Sequence, residues 1–453
     1  MVAETSTKAY TAELVDYLVA SHPNDIPAAT RHEGKRALVN IVGCALGGAR
    51  HEAMDIAIAA LGPYAGPPNC QVVGRSERFD PLLASLLNGI SSHVHDFDDT
   101  LPRNYIHASS PVASALLAYA SVNPVSGSDF LHAFILGFEV VARIGNATYP
   151  AHYEAGWHST GSIGVFGAAV GVGKLLGLDA TQMTHTIGLA ATQAAGLREM
   201  FGSMGKAFHP GRSAQSGYMA ALLAQKGFTS GRLPLEAPRG FAAVTAGRFD
   251  LAKVTNRLGL EFELHANTYK PFPCGIVIHP TIDAMIQLRG EHGIKAEDVR
   301  SVQLRVAPLV KDLCDKKHIS VGLEGKFSIY HATAIGLGRG SAGLEDFSDE
   351  AVNDPALVRL REVTEPISDP AVGEDAVVAS VTLNDGRVLH KSLEGSIGNL
   401  KRPLSDAQLE TKFLGQATVL TPGERAAALA ACWGIESLAD TRQLIGRCVP
   451  GAR

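Results

Sequence analysis

The stretch GSIGVFGAAVG, residues 161–171, carries a glycine at every third or fourth position. On a helix, Gly161, Gly164, Gly167 and Gly171 fall on one side, and a side without side chains lets another helix approach closely. The apolar run around these glycines is too short to span a bilayer. The stretch therefore predicts a helix at the centre of a helical domain.

Helical signals extend outward from this stretch over residues 27–225. Apolar residues from Leu38 to Leu46 recur at helical spacing and lead to Gly47-Gly48, a typical helix end. Asp80-Pro81 supplies an N-cap and a first-turn proline, and Asp179 with Gln182 forms a capping-box variant. We expect an all-α domain over this part of the chain.

The pattern changes near Lys270. Apolar residues alternate over 302–306 and 377–383, and Asn384-Asp385-Gly386 after the second run predicts a type I′ hairpin with residues 388–393 as the return strand. Helical spacing returns at Ser405. The sequence thus predicts a mainly α fold, with a large all-α domain (1–267 and 399–453) and a smaller α+β domain (268–398) inserted before the C-terminal helices.

The composition is that of an ordinary globular protein of 453 residues with a formal net charge of −5. No basic patch suggests nucleic acid or an anionic membrane as a partner. The six cysteines are scattered, without zinc spacing or an evident disulfide framework. The segment MVAETSTKAY shows no signal peptide, so we expect a cytoplasmic protein.

The stretch HDFDDT, residues 95–100, closes an apolar helical stripe. Helical phase groups His93, Asp96 and Thr100 on one flank and directs His95 and Asp99 away from the buried stripe. His93 and His95 diverge on a helix, and Pro102 replaces the further acid that aspartate-rich magnesium motifs use. No metal site is therefore predicted.

Three further segments carry groups suited to acid–base chemistry or anion binding. His158 precedes the glycine-rich helix, where an imidazole can reach a cavity. The stretch 202–212 is a glycine-rich loop that contains Lys206 and Arg212 ahead of a helix expected over Ser213–Gln225, a pattern that suits a carboxylate or a phosphate. His279 lies in the segment 270–280, at the expected domain junction.

Taken together, these segments resemble the MmgE/PrpD family over nearly the whole chain. The matching stretches are HDFDDT, GWHSTGSIGVFGAA, GSMGKAFHPGRSAQSG, KPFPCGIVIHP, GKFSIYHA and PLSDAQLETKF. The resemblance implies an all-α domain with an α+β lid, a homodimer, and no metal or organic cofactor. It also implies catalysis on a small di- or tricarboxylate by proton transfer next to a carboxylate.

The resemblance also implies the site residues, which are Asp96, Thr100, His107, His158, Lys206 and His279. We expect His158 to act as base or acid, Lys206 to hold a substrate carboxylate with help from Arg212, and Asp96 to orient a cation. Thr100, His107 and His279 would line the pocket, and His107, His158 and His279 would be able to exchange protons.

The segment Phe327-Ser328 departs from the family pattern. A tyrosine of the family reaches the active site from the position that His331 occupies here, and Tyr330 stands one residue earlier. One residue on a helix is a turn of about 100 degrees, so Tyr330 cannot simply replace it. Either His331 replaces the tyrosine as the acid or the chemistry differs, and we expect both His331 and Tyr330 among the substrate-binding residues.

The sequence therefore predicts a cofactor-independent lyase, similar to 2-methylcitrate dehydratase or cis-aconitate decarboxylase. Dehydration is the first choice, because a histidine pair can supply both the base and the acid. An epimerase similar to that of iminodisuccinate is the close alternative. A helical binding protein without catalysis and a metal-dependent phosphohydrolase built on His95-Asp96 are alternatives from other classes.

Overall fold

The computed structural model describes residues 9–451, so residues 1–8 of the segment inspected for a signal peptide lie outside the described residues. The described chain is mainly helical, as predicted. Its helical body begins with twelve helices: α1 (Tyr10–Ala20), α2 (Ala28–Gly48), α3 (Glu52–Leu61), α4 (Pro81–His93), α5 (Ser109–Val122), α6 (Gly127–Thr148), α7 (Ala151–Glu154), α8 (Ser159–Leu175), α9 (Ala180–Ala191), α10 (Met204–Gln225), α11 (Phe241–Thr245) and α12 (Ala252–Thr255). The body is completed by α19 (Asp406–Gln416), α20 (Pro422–Trp433) and α21 (Arg442–Arg447).

Helix α8 lies at the centre of this body, as the glycine pattern predicts. Its residues from Ser159 to Gly173 are all buried. A Cβ atom added to Gly164 would stand 2.6 Å from Pro111 Cγ of α5, and one added to Gly167 would stand 2.4 Å from the carbonyl oxygen of Gly137 in α6. The bare side of α8 therefore allows the backbone of α6 and the Pro111 ring of α5 to pack directly against it.

Between α12 and α19 the chain builds the lid, an α+β unit. Its helices are α13 (His279–His292), α14 (Pro308–Cys314), α15 (Gly322–Gly325), α16 (Ile329–Gly338), α17 (Asp349–Val352) and α18 (Pro355–Glu362). Its sheet has the order β4-β3-β5-β6, formed by β3 (Val299–Val306), β4 (Thr364–Ser368), β5 (Val377–Leu383) and β6 (Val388–Leu393). Strand β3 pairs parallel with β4 and antiparallel with β5, and β5 pairs antiparallel with β6. A further pair, β1 (Cys70–Gln71) and β2 (Arg78–Phe79), belongs to the helical body.

The β5–β6 hairpin forms where predicted, but the predicted turn type is wrong. Leu383 accepts a hydrogen bond from Gly386, and its own N–H donates to Arg387, which leaves a three-residue loop. Only Gly386 in this loop has positive φ (91°), whereas a type I′ turn needs positive φ at two residues. Gly386 is therefore the last residue of a three-residue loop, which is longer than the two-residue turn predicted from Asn-Asp-Gly.

The buried apolar side chains form two cores. One joins residues of the helical body from Leu14 to Tyr269 and from Leu404 to Cys448. The other lies within the lid, from Cys274 to Leu383, and is joined by Tyr105 and Tyr153 of the helical body. The exact limits at 268 and 398 stay a prediction.

Helix α6 is, among the described residues, the one helix long and apolar enough to cross a membrane by length and composition. The relevant window of α6 is 94% buried inside the protein, as expected for a core helix. The six cysteines are also buried and free.

Candidate active site

A small cavity of about 40 Å³ lies where the lid meets the helical body. Space of this size holds only a few water molecules. Its polar lining comes from Asp96, Thr100, Tyr105, His107, Tyr153, His158, Lys206 and Lys270, and its apolar lining includes Phe201, Ile276, Val277, Leu313 and Phe327. Five of the residues expected at the site thus line one cavity.

Asp96 reaches the cavity because helix α4 ends at His93. The Asp96 N–H donates to the His93 carbonyl at 2.8 Å, and Asp96 adopts the left-handed conformation with φ of 52°, which Asp tolerates better than most residues. The predicted helical phase over residues 94–100 is therefore wrong. Asp99, expected to point away from the core, is fully buried.

Asp96 is paired with two lysines. Its Oδ1 accepts hydrogen bonds from Lys206 Nζ and Lys270 Nζ, both at 2.8 Å, and Lys270 also donates to the Asp96 carbonyl oxygen at 3.1 Å. Burial opposes ionisation of the carboxyl, but the two ammonium groups outweigh it and hold the pKa of Asp96 well below its ordinary value. Asp96 therefore stays charged and fixes two cations beside the cavity.

Lys206 reaches Asp96 from helix α10. The predicted start of this helix at Ser213 is wrong, since α10 already begins at Met204 and includes Pro210. Helices α4 and α10 cross at backbone distance, because a Cβ atom on Gly89 would stand 2.3 Å from the Gly211 Cα. This close crossing brings Lys206 against the C-terminal end of α4.

Arg212 is not brought to the cavity. It lies on the exposed side of α10, and its guanidinium donates to Gln215. Because residues 204–212 are helical, the backbone amides near Gly211 are not free to bind an anion either. The second cation at the site is Lys270, which sequence reasoning did not select.

His107 presents one free imidazole nitrogen to the cavity. Its Nδ1 lies 2.8 Å from the Asp99 carbonyl oxygen and 3.2 Å from Thr100 Oγ1. The carbonyl can only accept, so Nδ1 carries the proton and Nε2 is left as a base, 3.9 Å from Asp96 Oδ1. Burial lowers the pKa of His107 well below its ordinary value.

His158 occupies the N-cap position of α8 without a capping hydrogen bond from its side chain, so the central helix positions it. Its Nδ1 lies 2.8 Å from His209 Nδ1, and its Nε2 is buried without a hydrogen-bond partner. Burial and the nearby Lys206 ammonium hold the pKa of His158 well below its ordinary value. The rings of His107 and His158 are 6.3 Å apart between centroids, so two neutral imidazoles border one small space.

Three predicted residues lie elsewhere. His279 is buried, its Nε2 lies 3.3 Å from the Cys274 carbonyl, and it lines a neighbouring cavity of about 260 Å³. His331 is buried inside the lid, 2.8 Å from the Asp346 carbonyl oxygen. Tyr330 donates to Asp315 at 2.9 Å. Neither His331 nor Tyr330 lines the cavity of Asp96. From their segment, Phe327 contributes to the lining of that cavity.

Sequence reasoning did not assign His93, Asp98 or Asp99 to the site, although all three contact residues that line the cavity or adjoin them. His93 bridges Lys206 and Asp98, and Asp99 accepts from Ser109 Oγ at 2.6 Å and from Asn267 Nδ2 at 2.7 Å. Burial and the adjacent Asp98 raise the pKa of Asp99 to about 7. The signal for these groups was the density of acids in HDFDDT itself, but their partners come from distant segments.

Potential metal ligands also meet here, although no metal site was predicted. Within 4.8 Å of one another lie ligand atoms of two sets, His93, His107, His158 and His93, Asp96, Asp98, His107. However, the Lys206 ammonium already lies 2.8 Å from both His93 Nε2 and Asp96 Oδ1. A divalent cation in that position would face two ammonium groups, so the donor set suits lysine better than a metal.

A helical body whose lid covers a cavity of imidazoles and ammonium groups defines a two-domain protein with ionisable side chains buried between its parts. The chain matches the MmgE/PrpD N-terminal domain over residues 12–253 and the MmgE/PrpD C-terminal domain over residues 272–435. It belongs to the MmgE/PrpD family.

Curated relatives resemble the chain over most of its length. The cis-aconitate decarboxylase-like protein oryM of Aspergillus oryzae is 26% identical, covering 96% of each chain. The cis-aconitate decarboxylase of Aspergillus terreus is 25% identical over 96% of this chain and 95% of its own. That of Homo sapiens is 27% identical over 85% of this chain and 82% of its own.

Proposed function

We propose that the protein is a cofactor-independent lyase that acts on a small di- or tricarboxylate by moving a proton next to a carboxylate. Family membership and the names of the relatives support a lyase of the dehydratase or decarboxylase type. The observation that carries the proposal is the pair of free Nε2 atoms on His107 and His158, beside two lysines that share one carboxylate.

The two lysines suit a substrate carboxylate. Each ammonium has three N–H donors. Lys206 directs two of them to Asp96 and His93, and Lys270 directs two to the oxygens of Asp96. One donor of each lysine therefore remains for a ligand, and charge-assisted hydrogen bonds to a carboxylate are among the stronger ones in proteins.

The imidazoles suit proton transfer that begins when the substrate binds. Before a substrate binds, burial keeps the pKa values of His107 and His158 low, so both rings are neutral. A polyanion beside them favours the charged form and raises their pKa values. Substrate binding should therefore draw a proton onto an imidazole and supply an acid next to the remaining base.

This arrangement serves decarboxylation and dehydration alike. In decarboxylation the bond to a carboxylate carbon breaks, CO₂ leaves, and an imidazolium protonates the carbon that keeps the electron pair. In dehydration a neutral imidazole removes the proton next to a carboxylate, and a second, protonated side chain of the cavity protonates the departing hydroxyl. The relatives favour decarboxylation of cis-aconitate as the first reaction to test, ahead of the dehydration expected from the histidine pair alone.

The acid is assigned to a histidine or a lysine of the cavity rather than to the segment around His331. His331 and Tyr330 are both engaged within the lid, at Asp346 and Asp315. His331→Gln should therefore keep its activity, whereas His107→Asn should lose it.

The test is a panel of C4 to C7 polycarboxylates in D₂O, with cis-aconitate first, followed by NMR and by CO₂ release. We expect one acid either to lose CO₂ and gain deuterium on the carbon that keeps the electron pair, or to lose water and gain deuterium next to a carboxylate through the reverse reaction. Deuterium exchange with inversion and without loss of a group would indicate the epimerase. Absence of exchange with every acid, despite binding seen by calorimetry, would indicate a non-catalytic binding protein.

We also propose that two copies of the chain associate. Several large apolar side chains between residues 197 and 249 are exposed, among them Val244 at 69% and Phe228 at 55%. Exposed apolar side chains that adjoin one another often mark a protein contact, and we expect these side chains to do so. Light scattering coupled to gel filtration should give twice the mass of the chain, and a monomer at micromolar concentration would contradict the proposal.

A further inference from the structure

A hydrogen-bonded chain holds the Lys206 ammonium in place. His93 Nε2 lies 2.8 Å from Lys206 Nζ, and His93 Nδ1 lies 2.8 and 2.9 Å from the two carboxylate oxygens of Asp98. His93 and Asp98 are buried, with 1% and 0% of their surfaces exposed. The chemistry proposed above uses neither of them.

The chemistry of the chain fixes which atom carries each proton. Contacts with His93 and His107 outweigh burial and hold the pKa of Asp98 below its ordinary value, so its carboxylate only accepts. His93 must then carry its proton on Nδ1, which leaves the lone pair of Nε2 to accept from Lys206. The direction of the chain is therefore Lys206 to His93 to Asp98.

We propose that His93 and Asp98 are positioning residues that orient the Lys206 ammonium toward the substrate. With Asp96 and His93 each accepting one N–H, Lys206 cannot rotate, and its third N–H stays directed to the cavity that Lys206 lines. This role rests on the proposed function, because it acts through the contact between Lys206 and a substrate carboxylate.

Groups from several elements face His93, so the measurement must isolate Lys206. Apart from Asp98 and Lys206, these groups are Asp96 and the rings of His107 and His158, whose centroids lie 4.7 and 6.0 Å from that of His93. A double-mutant cycle isolates the pair, because coupled residues show non-additive effects.

The variants are His93→Leu, His93→Gln, Lys206→Met and the two doubles. His93→Leu removes the acceptor and should reduce kcat/KM about tenfold or more, whereas His93→Gln offers an amide oxygen near the place of Nε2 and should recover most of this loss. In the Lys206→Met background, His93→Leu should have little further effect. Additive losses would overturn the proposal, since a merely structural role acts independently of Lys206. If His93→Leu does not fold, Asp98→Asn takes its place in the cycle.

A second measurement needs no turnover. In protein with nitrogen-labelled histidine, the His93 signals, assigned by their loss in His93→Gln, should show a protonated Nδ1 and an unprotonated Nε2. A proton on Nε2 would overturn the proposal. If the expected protonation is found while no acid is turned over, the proposed function fails and the proposed hydrogen-bonded chain is retained.

Discussion

Replacing Asp99 by asparagine should stabilise the protein at neutral and alkaline pH. The Asp99 side chain is fully buried, and its Oδ2 accepts from Ser109 and Asn267 while its Oδ1 has no partner. In Asp99→Asn the amide oxygen can take the place of Oδ2, so both hydrogen bonds are kept. What the substitution removes is the charge.

The magnitude follows from the pKa of Asp99. Burial and Asp98 raise this pKa to about 7, against about 3.9 in an unfolded chain. Between these values the native state binds more protons than the unfolded state, so the free energy of unfolding falls as pH rises. At about 1.4 kcal/mol per unit, the cost reaches roughly 4 kcal/mol once Asp99 is ionised. The advantage of Asp99→Asn over wild type should therefore grow by about 2–3 kcal/mol between pH 5 and pH 8.

The assay is urea unfolding of both proteins at several pH values, followed by circular dichroism. Asp96→Asn is the matched control, because the pKa of Asp96 is lowered rather than raised. The charge of Asp96 stabilises the protein above the unfolded pKa and loses this effect as pH falls through the folded one. Asp96→Asn should thus be destabilised at neutral pH and approach wild type in acid. A stability difference for Asp99→Asn that stays constant from pH 5 to pH 8 would refute the reasoning.

Four further outcomes are expected. Asp96→Asn should lose at least about tenfold in kcat/KM, because it misorients the cations of the acid–base site; full activity would exclude Asp96 from it. Lys206→Ala and Lys270→Ala should each lose roughly tenfold to a hundredfold in kcat/KM, the value of a charge-assisted contact, whereas exposed Arg212→Ala should match wild type. A loss for Arg212→Ala without a loss for the lysine variants would instead indicate that Arg212 binds the substrate carboxylate. Activity should survive exhaustive EDTA treatment, since lysine occupies the place of a metal; a stoichiometric metal needed for turnover would contradict this. Calorimetry in buffers of different ionisation enthalpy should show proton uptake when the substrate or a non-reacting tricarboxylate binds, and binding without uptake would argue against neutral imidazoles before binding.

Local signals predicted most of the fold. The capping box at Asp179 and the return of helical spacing at Ser405 mark helices where expected. Alternation located β3 and β5, and the turn signal located β6 as the return strand. These features depend on neighbours within a few residues, so they are legible in one sequence. The prediction of the turn type at Gly386 was wrong, because Asn-Asp-Gly indicates where a turn lies better than how many residues the turn contains.

The sequence predicted which segments contribute to the site, but not how their side chains are arranged in space. Apolar periodicity predicts a helix that continues to Phe97, but helix α4 ends at His93. Asp96, just beyond this end, pairs with two lysines that are distant in the sequence. The same reasoning overlooked Lys270, because the prolines around it give no periodic pattern. Contacts across more than a hundred residues leave no trace in local spacing.

The small volume of the cavity has a kinetic consequence. A tricarboxylate has several times more atoms than the few waters that about 40 Å³ can hold. The backbone-to-backbone packing around α8 leaves the helical body little freedom to widen, so we expect the lid to move when an acid binds. Capture then proceeds in two steps, and the observed rate of association should level off at high acid concentration, at the frequency with which the enzyme opens.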